Sequence, residues 1–320
     1  MPRIRPIITT AVISDPLTFR RPGPADIASI APLLEASVSR TCDYSLGGIY
    51  MWIDYFKYEY AIHRDTLFIK GHAESDPSAT AFMLPVGAMP VAEAVEAVRC
   101  HCRATATAPL FSAVPADRLD ELLDAAGGRA DVVPLPDWAD YLYDIGTLAT
   151  LSGKRMMRKR NHFNRFIAAN PDYRLQPLTE ANSREALAFM TSAEPDDKPD
   201  FDSAAIALYE YDQSRHVLDH LEAYPFEGAL LRGAGGEIAA LAVGEVIGEV
   251  LYAHIEKMRH DVPGAGAAIM KLFCADMQRR HPALRYVNRE EDCGDAGLRK
   301  AKLDLHPLAI LHKYDVRLKD

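Results

Sequence analysis

The strongest constraint on the fold is an order of elements that the chain runs through twice. In the first half, "ADIASIAPLLEASV" places Ile27, Ile30, Leu33, Leu34 and Val38 at helical spacing. Strand-like runs surround it: "LTFRRP", "YEYAIHRDTLFIKG", "ATAFMLPVG", "APLFSAV" and "ADYLYDI". Helices are expected at "PVAEAVEAVRCHCRA", which has proline at its start, and at "ADRLDELLDAAGG", which ends on glycines. The second half repeats the scheme. Strand-like "FEGALLRG", "EIAALAVGEVIG" and "VLYAHIEKM" precede the helix "GAGAAIMKLFCADMQRRH" and the strand "LRYVNRE". The short helix "DAGLRKAKL" and the strand "LAILHKYDVRL" follow. Strand meanders crossed by helices predict an α+β fold of mixed layers, used twice, with the joint at 150/151.

Charge marks the same joint. Residues 1–150 carry a net −7 and residues 171–320 a net −8, while 151–170 carry +6 with no acid at all. Ser152 is a plausible cap for a helix over about 152–169 that stops at Asn170-Pro171. Solvated helix faces normally mix signs. A patch of one sign fits phosphate-rich partners.

Three further stretches carry chemistry. "RHDVPGAGAAI" (259–269) opens a helix with Gly264 and Gly266 directly after a strand. Helix N-termini attract anions and glycine lets a ligand approach the backbone, although a tight turn with close helix packing reads the pattern as well. "YVNREEDCGDAGLRKAKL" (286–303) gathers Asn288, Arg289, Glu290, Glu291 and Asp292 at a strand end, followed by Arg299, Lys300 and Lys302. Strand ends favour ligand sites, and the alternative is a salt-bridge network that pins the short helix. In "AHIEKM", His254 and Glu256 share one strand face and are candidates for proton transfer, or for a partly exposed edge.

Other classes are disfavoured. Cys100-His101-Cys102 has no second ligand pair at zinc spacing, so no metal site is expected. Five scattered cysteines argue against a disulfide framework. No apolar run reaches membrane-span length, and "MPRIRPIITTAVISDP" lacks the apolar core of a signal peptide. The expected location is the cytoplasm.

These blocks together resemble a known family. "YDIGTLATLSGKRMMRKRNHFNRF", "HIEKM…GAGAAI", "VNREEDCGDAGLRKAKL…HKYDV" and the early "CDYSLGGIYMW" are similar to the C-terminal domain of phosphatidylglycerol lysyltransferase, from about Phe19 to Val316. The resemblance implies two tandem GNAT-like domains, each a mixed central sheet flanked by helices. It implies an acyltransferase moving an acyl group from a phosphate-bearing carrier, aminoacyl-tRNA or acyl-CoA, with no tightly bound cofactor. The acceptor would be an amine or hydroxyl on a small molecule or peptide. A lipid acceptor is disfavoured, because a net −9 repels anionic headgroups. Lys154, Arg158 and Arg160 would meet the phosphates of the tRNA acceptor end or of CoA, with Gly264 and Gly266 at the helix start. The GNAT pyrophosphate loop matches Asp261 to Gly266, but with an acidic first position. Glu256 or Glu290 would take the proton, a backbone N–H near His254 would hold the oxyanion, and Tyr314 would protonate the leaving group. Asn161, Asn288, Arg289, Asp292, Arg299 and Lys302 would bind substrate, with Asn161 also able to pack within the joint. The rival reading is a non-catalytic GNAT pair that binds tRNA, a nucleotide or a protein.

Overall fold

A computed structural model describes residues 17–192 and 201–319. The N-terminal segment before Leu17 and most of the acidic run "EPDDKPDFD" lie outside the described residues. Fourteen described strands form two seven-stranded mixed sheets. The first sheet holds β1 (Glu59–His63), β2 (Thr66–His72), β3 (Thr80–Phe82), β4 (Val86–Gly87), β5 (Leu110–Pro115) and β6 (Ala130–Pro134). The second holds β7 (Asp140–Asp144), β8 (Arg174–Pro177), β9 (Glu227–Arg232), β10 (Ile238–Ile247), β11 (Val250–Met258), β12 (Tyr286–Asn288) and β13 (Ala309–Leu311). The last strand, β14 (Lys313–Leu318), returns to the first sheet.

Strand order is β1-β2-β3-β5-β14-β6, with β4 on β2, in one sheet, and β13-β7-β12-β11-β10-β9-β8 in the other. Sheet membership therefore crosses the 150/151 line in both directions. β7 pairs with β12 and β13, and β14 pairs with β5 and β6. The run "LAILHKYDVRL" is not the single strand expected. The chain leaves one sheet and enters the other at His312.

Other local differences have local causes. "LTFRRP" makes a single bridge, Arg20 to Tyr60. "ATAFMLPVG" breaks into β3 and β4 around Pro85, which has no N–H for a ladder. β6 was not expected; its Val132 and Val133 are exposed, so it carries little burial signal. The basic helix runs over Met157–Ala169 and not from Ser152, because Leu151 and Gly153 adopt positive φ in a turn. A short helix, Ile145–Thr150, precedes that turn and is capped by Asp144.

Between the sheets lies a core shared by both, in which Leu67 and Ile69 belong to one cluster with Leu230, Leu241 and Ile255. The helix Ala265–Arg280 covers the outer face of the second sheet through Ile269, Phe273 and Met277, spaced by four and fully buried. Each such side chain contributes about 1.5–3 kcal/mol of burial. Among the described residues no helix is long and apolar enough to cross a membrane.

Candidate active site

β11 and β12 run parallel for three positions only, Val250–Tyr252 against Tyr286–Asn288. β11 then continues to Met258, while the chain after Asn288 turns away through Glu290 and Cys293, both at positive φ. On the other side of β11 the register with β10 slips. Val243 faces Ile255 and Gly244 faces Ala253, so His254 is an extra, bulged residue. The two strands splay, and the N-terminus of the helix Ala265–Arg280 sits at the opening.

A cavity of about 470 Å³ occupies this opening. Arg158, Lys159 and His162 line it from the basic helix, Lys300 from the helix Ala296–Leu303, and Asp304 from that helix's C-cap. Arg259, Arg289, Gly264 and Gly266 complete the wall. Five of these side chains are lysine or arginine, against one carboxylate. Arg158 meets Asp304 only loosely, at 3.4 Å. Burial lowers the pKa of the Lys159 ammonium, and burial, then Arg165 and Lys159, lowers that of His162. The first N–H groups of a helix have no intrahelical acceptor, which adds positive potential to the same space. Asp261, the acidic residue of the loop, is exposed and paired with Arg259 at 2.9 and 2.5 Å, so its charge is countered locally.

The glycines divide the work. Gly264 has φ +86°, and a Cβ there would lie 2.1 Å from the His162 carbonyl oxygen. It locks the loop against the basic helix. At Gly266 the nearest obstacle is the flexible end of Met258.

The structure separates the residues expected at the site. Arg158, Gly264, Gly266 and Arg289 line the cavity. Lys154 lines a neighbouring cavity of similar size, with Arg155, that meets the first at Leu305. Arg160 is committed to the joint, donating from Nη1 to the carbonyls of Leu151 (2.6 Å) and Gly153 (3.2 Å). Asn161 is exposed and lines neither cavity.

The proton-transfer candidates are paired. Arg289 Nε donates to Glu256 Oε2 at 2.8 Å. His254 lies between Glu290 (Nδ1···Oε1, 2.7 Å) and Glu245 (Nε2···Oε2, 3.2 Å), with no solvent exposure of its ring. Burial opposes its charge, but the hydrogen bonds to Glu245 and Glu290 carry its pKa up to about 9. Tyr314 was expected beside the reacting ester. β14 carries it into the first sheet, where it packs on the core around Phe111 and Leu122, and it does not line the cavity at the strand splay.

Asn288, Asp292, Arg299 and Lys302 hold the turn in place. Asn288 donates to the Arg40 carbonyl (2.7 Å) and Asp140 (2.5 Å). Asp292 accepts from Arg299 (2.8 Å) and the Tyr141 hydroxyl (2.6 Å). Lys302 donates to the Arg289 carbonyl at 2.5 Å. These contacts form the pinning network that was the alternative reading of 286–303.

Two features escaped the sequence reading. Gly47 of "CDYSLGGIYMW" packs on His254, and a Cβ there would fall 2.3 Å from the ring. The backbone N–H groups of Leu46 and Gly47 donate to Glu245. The second feature is Lys313, wholly buried, with Nζ 2.7 Å from Asp43, 2.7 Å from Asp140 and 2.5 Å from Glu291. Cys42, Asp43, Asp140 and Glu291 form a group suited to a metal ion, but the Lys313 ammonium stands among them as the cation. The sequence signal was faint: one lysine opening a strand that also carries Asp315 and Arg317.

The matching family model is described as phosphatidylglycerol lysyltransferase, C-terminal, and spans residues 35–317. A conserved protein of unknown function from Bacteroides thetaiotaomicron VPI-5482 superposes with TM-score 0.84 at 30% identity, covering 95% of this chain and 100% of that one. L-PGS from Bacillus licheniformis superposes with TM-score 0.60 at 14% identity, covering 92% of each chain. FemX gives TM-score 0.60 at 10% identity, covering 93% and 97%. Comparison with curated proteins finds no match. The last two structures share this fold. With most of its length matched by the family model, the chain belongs to the phosphatidylglycerol lysyltransferase C-terminal family.

Proposed function

We propose that this chain transfers an aminoacyl group from aminoacyl-tRNA to an amine or hydroxyl on a small molecule or peptide. Family and fold support an acyltransferase of the GNAT-like type. One observation carries the choice of carrier: the cavity at the strand splay is lined by Arg158, Lys159, Arg259, Arg289 and Lys300 at a helix N-terminus, in a chain of net −9. Such a lining favours a polyanionic carrier over a neutral ester. The neighbouring cavity beside Lys154 and Arg155 continues the cationic lining, which supports a carrier with a run of phosphates such as tRNA.

In this reading the carrier's phosphates meet Arg158, Lys159 and Lys300, and its ester carbonyl reaches toward Glu256 and Arg289. The nucleophile attacks the carbonyl carbon, and a backbone N–H released from the ladder at the His254 bulge stabilises the oxyanion. Glu256 receives the nucleophile's proton, the C–O bond to the carrier breaks, and the proton passes on to the leaving oxygen.

A specific observation favours the second reading, a non-catalytic binding pair. Glu256 and Glu290 are each neutralised by an ion pair, with Arg289 and His254. Transfer of label from aminoacyl-tRNA separates the two. The first test is fluorescence anisotropy of labelled bulk tRNA across a salt series, beside an Arg158/Lys159/Lys300→Glu variant. Tight, salt-steep binding that the variant loses supports the carrier site. Weak binding that the variant leaves unchanged refutes it, and displacement by acyl-CoA alone would make CoA the carrier.

A further inference from the structure

The side chains around the cationic cavity divide by whether they have a partner within the chain. Arg259 is bonded to Asp261, Arg289 to Glu256 and, loosely, Arg158 to Asp304. Lys159, His162 and Lys300 make no side-chain hydrogen bond or ion pair among the described residues. Of these three, histidine is the one whose charge can change near neutral pH.

His162 lies one turn beyond Arg158 and Lys159, so the three share a face of the helix Met157–Ala169. Its carbonyl packs on Gly264, where a Cβ would come within 2.1 Å. The backbone is thus fixed beside the helix start Ala265, while the half-buried ring keeps both nitrogens unengaged.

The charges around that ring are mostly positive. Its own helix supplies Arg158, Lys159 and Arg165. The loop after β11 supplies Arg259 with its bonded Asp261, and the exposed His260. Arg289 follows β12, and Lys300 and Asp304 come from the helix Ala296–Leu303 and its C-cap. Burial, then Arg165 and Lys159, hold the imidazole's pKa below its ordinary value in the free protein. A phosphate reverses that balance. It accepts from a ring N–H and offsets the neighbouring cations.

We propose that His162 is a phosphate ligand of the carrier and takes up a proton as the carrier binds. The inference rests on reading this cavity as the carrier site. The lysines and arginines attract the polyanion at any pH near neutrality. The ring adds a further charge only when a phosphate is there to meet it, so the free protein avoids that self-repulsion. Affinity is then greatest at low pH and falls as pH rises through the range where the bound ring is charged and the free ring is not. One proton per chain limits the fall to about tenfold per pH unit.

Bulk tRNA is titrated into the full chain by calorimetry, near pH 7, in buffers of different ionisation enthalpy. The heats give the protons taken up per carrier bound. A short oligothymidylate without terminal phosphates serves as a plain polyanion, since phosphodiesters do not titrate in this range. The parent should take up a sizeable fraction of one proton. His162→Gln should bind without that uptake. His162→Lys, which fixes the charge, should bind as tightly as the parent does at low pH, with no uptake. His260→Gln should keep the uptake. If tRNA binds the parent with no proton taken up, or if His162→Gln takes up as many, or if His260→Gln abolishes the uptake, His162 is not the linked ligand while the carrier site stands. If the oligothymidylate shows uptake that depends on His162 and tRNA does not bind, the carrier reading fails alone. If neither binds, both fail.

Discussion

The Lys313 ammonium lies 2.7 Å from the Asp140 carboxylate, and neither side chain reaches solvent. The lysine comes from the first sheet and the aspartate from the second, so this contact fastens the sheets together. Removing one partner leaves uncompensated buried charge. Lys313→Met is expected to cost about 3–5 kcal/mol, measured by chemical denaturation. The double variant Lys313→Met/Asp140→Asn should cost less than the sum of the singles.

His254 sets a pH dependence. Its pKa is raised to about 9 in the folded chain, above the ordinary imidazole value of about 6.5. The stabilisation is therefore complete below about pH 6.5 and is lost as pH rises through about 9. Stability measured by denaturation should fall across that window in the parent chain by about 3 kcal/mol, and the His254→Gln variant should lack this component.

Gly47→Ala places a methyl group against the His254 ring, with about 1–3 kcal/mol lost to overpacking. Its melting temperature should drop. Nearby Gly48→Ala should do the same for a different reason, since its Cβ would lie 2.1 Å from the Cys42 carbonyl oxygen.

Two arginines two residues apart should behave differently. Arg158→Ala is expected to lower the salt slope of tRNA binding by about 0.7–0.9 per lost phosphate contact and leave stability within about 0.5 kcal/mol. Arg160→Ala should leave the slope alone and cost about 1 kcal/mol or more, because it frees two turn carbonyls. Equal slopes for both variants would sink the assignment.

Much of the architecture was legible because the helix Ala265–Arg280 and strands β10 and β11 are long, largely apolar runs. The cation-lined cavity was half legible. The one-signed block and the glycine loop were visible, but Lys300 and Arg289 join them only through the fold. Pairing was not legible: nothing in linear order ties Glu256 to Arg289, or Asp43 and Asp140 to Lys313. Arg158 and Arg160 look alike in sequence, and only the positive-φ turn at Leu151 and Gly153 decides which one is spent on backbone carbonyls. The break at His312 was hidden because both flanking strands have the same extended character.

The return of β14 into the sheet that begins at β1 bears on how the molecule comes into being. An interior strand of that sheet is the last described strand to emerge during synthesis, so the sheet stays incomplete, with the facing edges of β5 and β6 unpaired, until the second sheet's residues have been made. The two units are thus neither sequential folding events nor interchangeable modules. A chain cut at the basic joint would yield two fragments that each lack a strand held by the other, and they should regain structure only when mixed.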